Sequence, residues 1–418
     1  LSLITAEGHA APSFLRWELA AVALIAPILA FPPMGRPLLL FVPLLVPAMW
    51  IIAMLRGEGG LPVTPLNGAL LLLLASILLS LAATFDIAFS TPKILGVVLG
   101  VVLFFGIVRA IRSSSSLSLA LELYTAAGAA FAAISILGTN WIPKVGALQR
   151  IAERVPVLIR GVPGQSEGFQ PNAIAGSLLL FIPLQLVLTI SGPRRSLAAV
   201  LLVFTTAVLA LTQSRNGWLS LLAALLLLAI WQSGGLVRKG LIIAGVAGII
   251  AGGFAATHEL HLVERGIGSG LSADLAGRME LWSRAVLIIE DFPFTGVGMN
   301  GFRRVMPAMY PVVLTPPEVD VAHAHNHLLQ AGTDLGIPGL IAYLALWLSA
   351  AATIWRTWRG TSSRRIRSIA SGLGGALLAF FAFGMVDTIA LGAKVGIFFW
   401  VLLSLIVALD SREGEAAA

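Results

Sequence analysis

The stretch VDVAHAHNHLLQAGTDLGIPGL (319–340) sets three histidines on alternate positions and then runs into an apolar block that continues to residue 354. Of the chain's six histidines, His258, His261, His323, His325 and His327 fall in one segment and only His9 stands apart. The apolar run that follows is longer than the ~20 residues a helix needs to cross a bilayer. A titratable loop that feeds a spanning helix decides the fold class, and the rest of the chain repeats the pattern.

Apolar blocks recur at 17–31, 37–55, 66–85, 93–110, 117–139, 173–190, 196–213, 216–232, 239–257, 328–354, 369–390 and 395–409. The 418 residues are 58% hydrophobic and 11% charged, against about 25% charged in an ordinary soluble domain. The reading is an all-α polytopic membrane protein of about twelve transmembrane helices, a single integral membrane domain over 1–418. Block 17–31 lacks a basic stretch followed by a small-residue cleavage site, so it reads as a retained helix. Cysteine is absent, which removes disulfides, thiolate metal sites and a cysteine nucleophile. No repeat of 20–50 residues is visible, and SSSSLS (113–118) is a short polar turn.

Cations set the orientation. Alternate short connections carry Arg56, Arg109, Arg112, Arg194, Arg195, Arg238, Lys239, Arg356, Arg359, Arg364, Arg365 and Arg367, twelve in all, against Arg36, Lys93, Arg215 and Lys394 opposite. The positive-inside rule then places both termini in the cytoplasm. Topology accounts for the net charge of +7, so the expected surroundings are membrane lipid and no nucleic acid is expected as a partner. Two long connections, 140–172 and 258–327, fall on the outer side, the larger between helices 9 and 10. Within it GRMELWSRAVLIIEDFPFTGVG (277–298) has helical apolar spacing that Pro293 stops. TGVGMNG lacks the Lys-Ser/Thr of a nucleotide loop and reads as a plain turn.

The outer side is unusually rich in arginine. Arg215, in LTQSRNGWLSLL (211–222), sits where two apolar blocks nearly touch. One reading is an arginine snorkelling at a helix end; the other is an anion clamp. Arg154, Arg160, Arg265, Arg278 and Arg284 are further cations on that side. A polyanionic ligand explains the excess, because guanidinium forks pair with phosphate oxygens. Arg160 and Arg265 are therefore grouped with Arg215 and Arg278 as substrate-side cations.

The histidines admit three readings. A His-x-His-x-His segment shares one face and offers metal ligands if it is extended; on a helix the spacing splays them, and His327 is expected to begin the helix and turn away, so a third ligand would be improvised from His258 or His261. Surface or capping histidines are the plain alternative. The favoured reading is a general base, since an ordinary imidazole titrates near ~6.5 and suits proton removal from a hydroxyl. Glu318 and Asp320 form a weak version of an acidic metal pair. The expectation is no metal and no cofactor. The sequence has no evident acid–nucleophile carboxylate pair. A base, several phosphate-sized cations and a membrane suit displacement from a lipid diphosphate, with arginines neutralising the leaving group.

Four blocks carry a family resemblance: GFQPNAIAGSLLLFIP (168–183), LTQSRNGWLSLLAALL (211–226), GRMELWSRAVLIIEDFPFTGVGMNGF (277–302) and HAHNHLLQAGTDLGIPGL (323–340). In this order they resemble the O-antigen ligase/polymerase superfamily. The resemblance implies a glycosyltransferase of the GT-C type on the periplasmic side of the bacterial inner membrane. It would move a glycan from undecaprenyl diphosphate to lipid A–core by a metal-independent, inverting step of lipopolysaccharide biosynthesis. His325 of the HN pair would be the base, and Arg215 of SRNG and Arg278 of GR would hold the diphosphate. His323 and Asn326 would help position them, and Gln170 and Asn172 match the PN block. The chain departs from the family at His327, where an aromatic or polar residue is usual. An O-antigen polymerase or a protein O-oligosaccharyltransferase would use the same parts with another acceptor. A transporter is the rival from a different class, suggested by Pro27, Pro43, Pro47 and the acids Asp334 and Asp387. Paired repeats around a midplane site, its usual mark, are not visible.

Overall fold

The computed structural model describes residues 18–31, 45–57, 61–111, 113–139, 141, 154–159, 168–264, 270–314 and 319–417. They form helices α1 (Glu18–Ala30), α2 (Leu45–Leu55), α3 (Asn67–Ser80), α4 (Ile87–Ala110), α5 (Ser114–Gly138), α6 (Pro171–Leu178), α7 (Ile182–Ser191) and α8 (Arg195–Thr212). These continue as α9 (Arg215–Gln232), α10 (Gly235–Glu264), α11 (Gly270–Asp291), α12 (Phe302–Met309), α13 (His327–Gly360), α14 (Arg364–Gly384) and α15 (Ile397–Ala417). Among the described residues there is no strand, only an isolated bridge between Thr139 and Phe169.

Each of the twelve apolar blocks contains helix. Nine spans among the described residues are long and apolar enough to cross a membrane, and the helices of the first three blocks are shorter. The boundaries differ from expectation where local chemistry intervenes. Asp86 caps α4 by accepting from the Phe89 amide at 3.0 Å, so the helix starts before residue 93. Lys93 therefore lies inside α4 and not in a connection. Block 173–190 is interrupted at 179–181, where Pro183 has no amide to continue the hydrogen-bond ladder. Helix α10 runs on to Glu264, placing His258 and His261 on helix where a loop was expected. Helix α11 begins at Gly270, earlier than 277, and stops before Pro293.

The interruption that matters most is in α13. Gly336 there has φ 69° and ψ −170°, between a short first segment and the long remainder. The backbone groups freed by the break are taken up by the loop after α11: Ile337 donates to the Pro293 carbonyl at 2.7 Å, and Val297 donates to that of Thr333 at 2.8 Å. The glycine-rich bend TGVG is thus a turn seated on broken helix backbone. A Cβ on Gly336 would come within 2.7 Å of the Pro293 carbonyl oxygen. Gly336→Ala should lower the thermal unfolding midpoint in detergent through a cost of at least about 1–2 kcal/mol. An unchanged midpoint would show that the break is not required.

Helix α14 forms the centre, packed on α7, α9 and α13. Its small residues permit the approach: Gly375 faces Pro183 and Leu228, and Gly374 faces the Trp231 ring. Its C-terminal end gathers four elements. Asn216, in the first turn of α9, donates to the Phe383 carbonyl at 2.9 Å. Gly217 faces Ala175 of α6, and Gly384 lies against the His327 ring at the start of α13. The polar ends of these helices therefore share one end of the bundle.

Candidate active site

The histidine turn is built by a helix cap. The Asn326 side chain accepts from the Leu328 and Leu329 amides at 3.0 and 3.1 Å, two of the donors a helix start leaves without partners. Its amide donates to the Met385 carbonyl at 3.1 Å, fixing α13 to the segment after α14. The Gln330 side chain accepts from the Ala324 amide at 2.8 Å, closing the turn from within. His325 adopts φ 52°, a left-handed conformation that non-glycine residues seldom hold and that clusters at functional sites.

This conformation brings His325 to Asp387. Its Nδ1 lies 3.1 Å from Asp387 Oδ1; the imidazole is 31% exposed and the carboxylate 7%. The Asp387 amide donates to the Phe383 carbonyl at 3.0 Å, and Asp387 Oδ1 also accepts from the Thr388 amide at 2.8 Å. Burial works to raise the Asp387 carboxyl, but the His325 hydrogen bond, both imidazoles and the Thr388 amide hold it below the ordinary carboxylate value. An ionised carboxylate on Nδ1 selects the tautomer with the proton on that nitrogen, leaving Nε2 with its lone pair. His323 packs beside His325 with ring centroids 4.3 Å apart. Burial, and next the neighbouring His325, pull its pKa down to about 4, so it is neutral at physiological pH.

His327 belongs to a different environment. It is the first residue of α13, buried among Tyr343, Trp347 and Phe381, with Nδ1 3.1 Å from the Tyr343 hydroxyl. Three alternate histidines do not share one face here, because the chain turns into helix after Asn326. The residues that could hold a metal ion are instead His323, His325 and Asp387, whose candidate ligand atoms lie within 4.8 Å of one another. Asp387 takes the place expected of His258 or His261, whose side chains lie outside the described residues. Of the acidic pair, Asp320 is engaged by two nitrogens of the Arg303 guanidinium, and Glu318 lies outside the described residues.

The arginines converge from two helices. Arg215 opens α9 behind the cap of Ser214, whose hydroxyl accepts from the Gly217 amide at 3.2 Å. Gln213 at φ 50° turns the chain between α8 and α9. A guanidinium nitrogen of Arg215 lies 3.8 Å from Asp274 Oδ2, and one of Arg278 lies 3.4 Å from the same oxygen. Arg215 is 67% exposed and Arg278 19%. Two cations from different helices thus meet on one acidic oxygen, the arrangement an external oxyanion would also use.

The remaining expected residues divide. Gln170 and Asn172 stand at the start of α6, at this end of the bundle, and make no side-chain hydrogen bond among the described residues. Arg284 pairs with Glu280 at 3.6 Å and donates to the Pro311 carbonyl, a role in holding the loop. Arg154 is exposed, and Arg160 and Arg265 lie outside the described residues. Two acids were missed as partners of the site. Asp387, in GMVDTIA, falls within the apolar block 369–390 and reads by sequence only as an acid of a transporter; Asp274, in GLSADLAG, lies just ahead of the GR block (277–278) with no pattern of its own to mark it.

Residues 198–344 match the family model described as O-antigen ligase. This span contains Arg215, Asp274, Arg278, His323, His325 and Asn326, and stops short of Asp387. No curated protein matches the chain. The chain is thus a multi-pass membrane protein, helical throughout its described secondary structure, of which residues 198–344 are similar to the O-antigen ligase family.

Proposed function

We propose that the chain is an O-antigen ligase of the GT-C type, with twelve membrane crossings, both termini in the cytoplasm and the site on the periplasmic face of the bacterial inner membrane. It transfers a glycan from undecaprenyl diphosphate to a hydroxyl of lipid A–core. The observation that carries this reading is the pairing of an oriented, accessible imidazole (His325 on Asp387) with two arginines that share an acidic oxygen at the same end of the bundle.

In this reading the acceptor hydroxyl gives its proton to His325 Nε2 as its oxygen attacks the anomeric carbon. The bond from that carbon to the diphosphate oxygen breaks, and the electron pair leaves on the diphosphate, neutralised by Arg215 and Arg278. One displacement inverts the anomeric centre. Asp387 stabilises the imidazolium that forms. Asp274 holds the two guanidinium groups together until the donor's phosphate oxygens replace its carboxylate. Gln170 and Asn172 contribute to substrate binding from α6, and His323 supports the base as a neutral neighbour.

The reading is tested by reconstitution with a lipid-linked glycan and either lipid A–core or a second lipid-linked unit. Ligation is expected with lipid A–core alone. Lengthened lipid-linked glycan would instead make the protein a polymerase of the same superfamily, and glycosylated protein an O-oligosaccharyltransferase. Transfer should proceed in detergent with no gradient, whereas a transporter would show counterflow in liposomes and no product. Orientation is open to labelling, because the chain has no native cysteine. Val313→Cys, at an exposed position of the outer connection, should react with an impermeant maleimide in intact spheroplasts. Ser362→Cys, exposed between α13 and α14, should react only after permeabilisation. The reverse pattern would invert the topology.

A further inference from the structure

At the end of the bundle opposite His325, a cavity of about 580 Å³ opens between α9, α10, α13 and α14. Four arginines line it (Arg238, Arg359, Arg364 and Arg367), with Trp231 and Trp358 among its other lining residues, and no carboxylate. Two of the arginines are fixed by helix ends. Arg238 donates to the Ile230 and Ser233 carbonyls at the end of α9. Arg367 donates to the Trp358 and Thr361 carbonyls at the end of α13. These bonds offset the negative ends of two helices and hold the guanidinium groups in place. Arg359 lies over the Trp355 ring, 5.2 Å from its centroid. Arg364 opens α15's predecessor α14 and has no ion pair or side-chain hydrogen bond among the described residues. The cavity thus gathers four guanidinium groups with no carboxylate among its lining residues.

We propose that this cavity binds the phosphate headgroup of an anionic phospholipid. A free phosphate would satisfy the arginines equally, but the surroundings favour a lipid. The spanning segment of α10 beside the cavity, Gly235–Gly253, buries none of its residues against the protein. Leu236, Val237 and Ile243 on that segment are each more than 60% exposed. Acyl chains therefore have an apolar wall directly next to the charged cavity. Trp231, Trp355 and Trp358 cluster at its edge with centroids 5.1–6.2 Å apart, as aromatic residues gather at a membrane interface. Basic pockets between helices at this level bind acidic lipid headgroups. The inference is independent of the transfer reaction at the other end.

The test is native mass spectrometry of the full chain in detergent, titrated with dioleoyl phosphatidylglycerol or dioleoyl phosphatidylcholine. Phosphatidylglycerol should bind as a discrete adduct and phosphatidylcholine should not. Arg359 and Arg364 are exposed and cap no helix end, so Arg359→Gln with Arg364→Gln leaves the fold intact, checked by an unchanged unfolding midpoint without lipid. At a factor of about five for each basic residue, the double variant should bind phosphatidylglycerol about 25-fold more weakly. Arg365→Gln, on the side of α14 that faces Ser118, should bind as the parent does. Equal adducts with both lipids, or undiminished binding by the double variant, would overturn the site. Displacement of the lipid by inorganic phosphate at matching concentration would overturn the lipid assignment in favour of a soluble anion.

Discussion

Replacing His325 with alanine is expected to slow glycan transfer by roughly 10²–10⁴-fold, the range a positioned general base supplies. The protein should remain folded, because the ring is partly exposed and its one strong partner is Asp387. His327→Ala should cost far less transfer, since that ring is buried against Tyr343, Trp347 and Phe381. Its loss should appear as a lower unfolding midpoint. Asp387→Asn separates orientation from proton removal. It should lose about 10²-fold or more, because an amide no longer selects the productive tautomer or stabilises the imidazolium.

The pH profile gives a second readout of the same arrangement. His323, pulled down to about 4, stays neutral between pH 5 and 8, and Asp387, held below the ordinary carboxylate value, stays ionised there. Neither group titrates in that window, so a change of rate within it does not arise from either of them. A metal centre made by His323, His325 and Asp387 predicts otherwise: inhibition by EDTA and equal losses from His323→Ala and His325→Ala. Transfer that survives His325→Ala and stops with EDTA would falsify the base assignment.

The apolar blocks were legible because a bilayer imposes a length and a composition, and every block contains helix. What pattern could not reveal was local: the Asp86 cap that draws Lys93 into α4, and the break at Gly336, which depends on a loop some 40 residues upstream in sequence. At the site, His325, Arg215 and Arg278 stood out because charged or titratable groups are rare in so apolar a chain. Their partners did not. Asp387 and Asp274 are single acids whose meaning lies in distance: one reaches His325 across 62 residues of sequence, the other joins α9 to α11. His327 begins α13 and turns away, as its place before the apolar block implied, while His323 and His325 stay together before the Asn326 cap.

Asp274 also sharpens what the arginines should do. Arg215→Ala or Arg278→Ala should nearly abolish transfer, at the about 2.7–4 kcal/mol typical of losing one charge-stabilising donor, or roughly 10²–10³-fold. Lysine at either position should recover little, because a point charge lacks the paired fork that matches phosphate oxygens. If Asp274 only tethered two structural cations, Asp274→Asn would weaken the local fold and reduce transfer in proportion. If the carboxylate occupies the position the diphosphate takes, the same variant removes a competitor. It should then lower the KM for the lipid-linked donor while leaving the KM for lipid A–core unchanged, and Arg278→Ala in that background should still abolish transfer. The two arginines differ in exposure, 67% for Arg215 and 19% for Arg278, so the losses need not be equal. The more buried Arg278 is less screened by solvent, and its removal should cost more. Near-normal transfer by both alanine variants would end the clamp, and full rescue by lysine at both positions would reduce it to a generic charge.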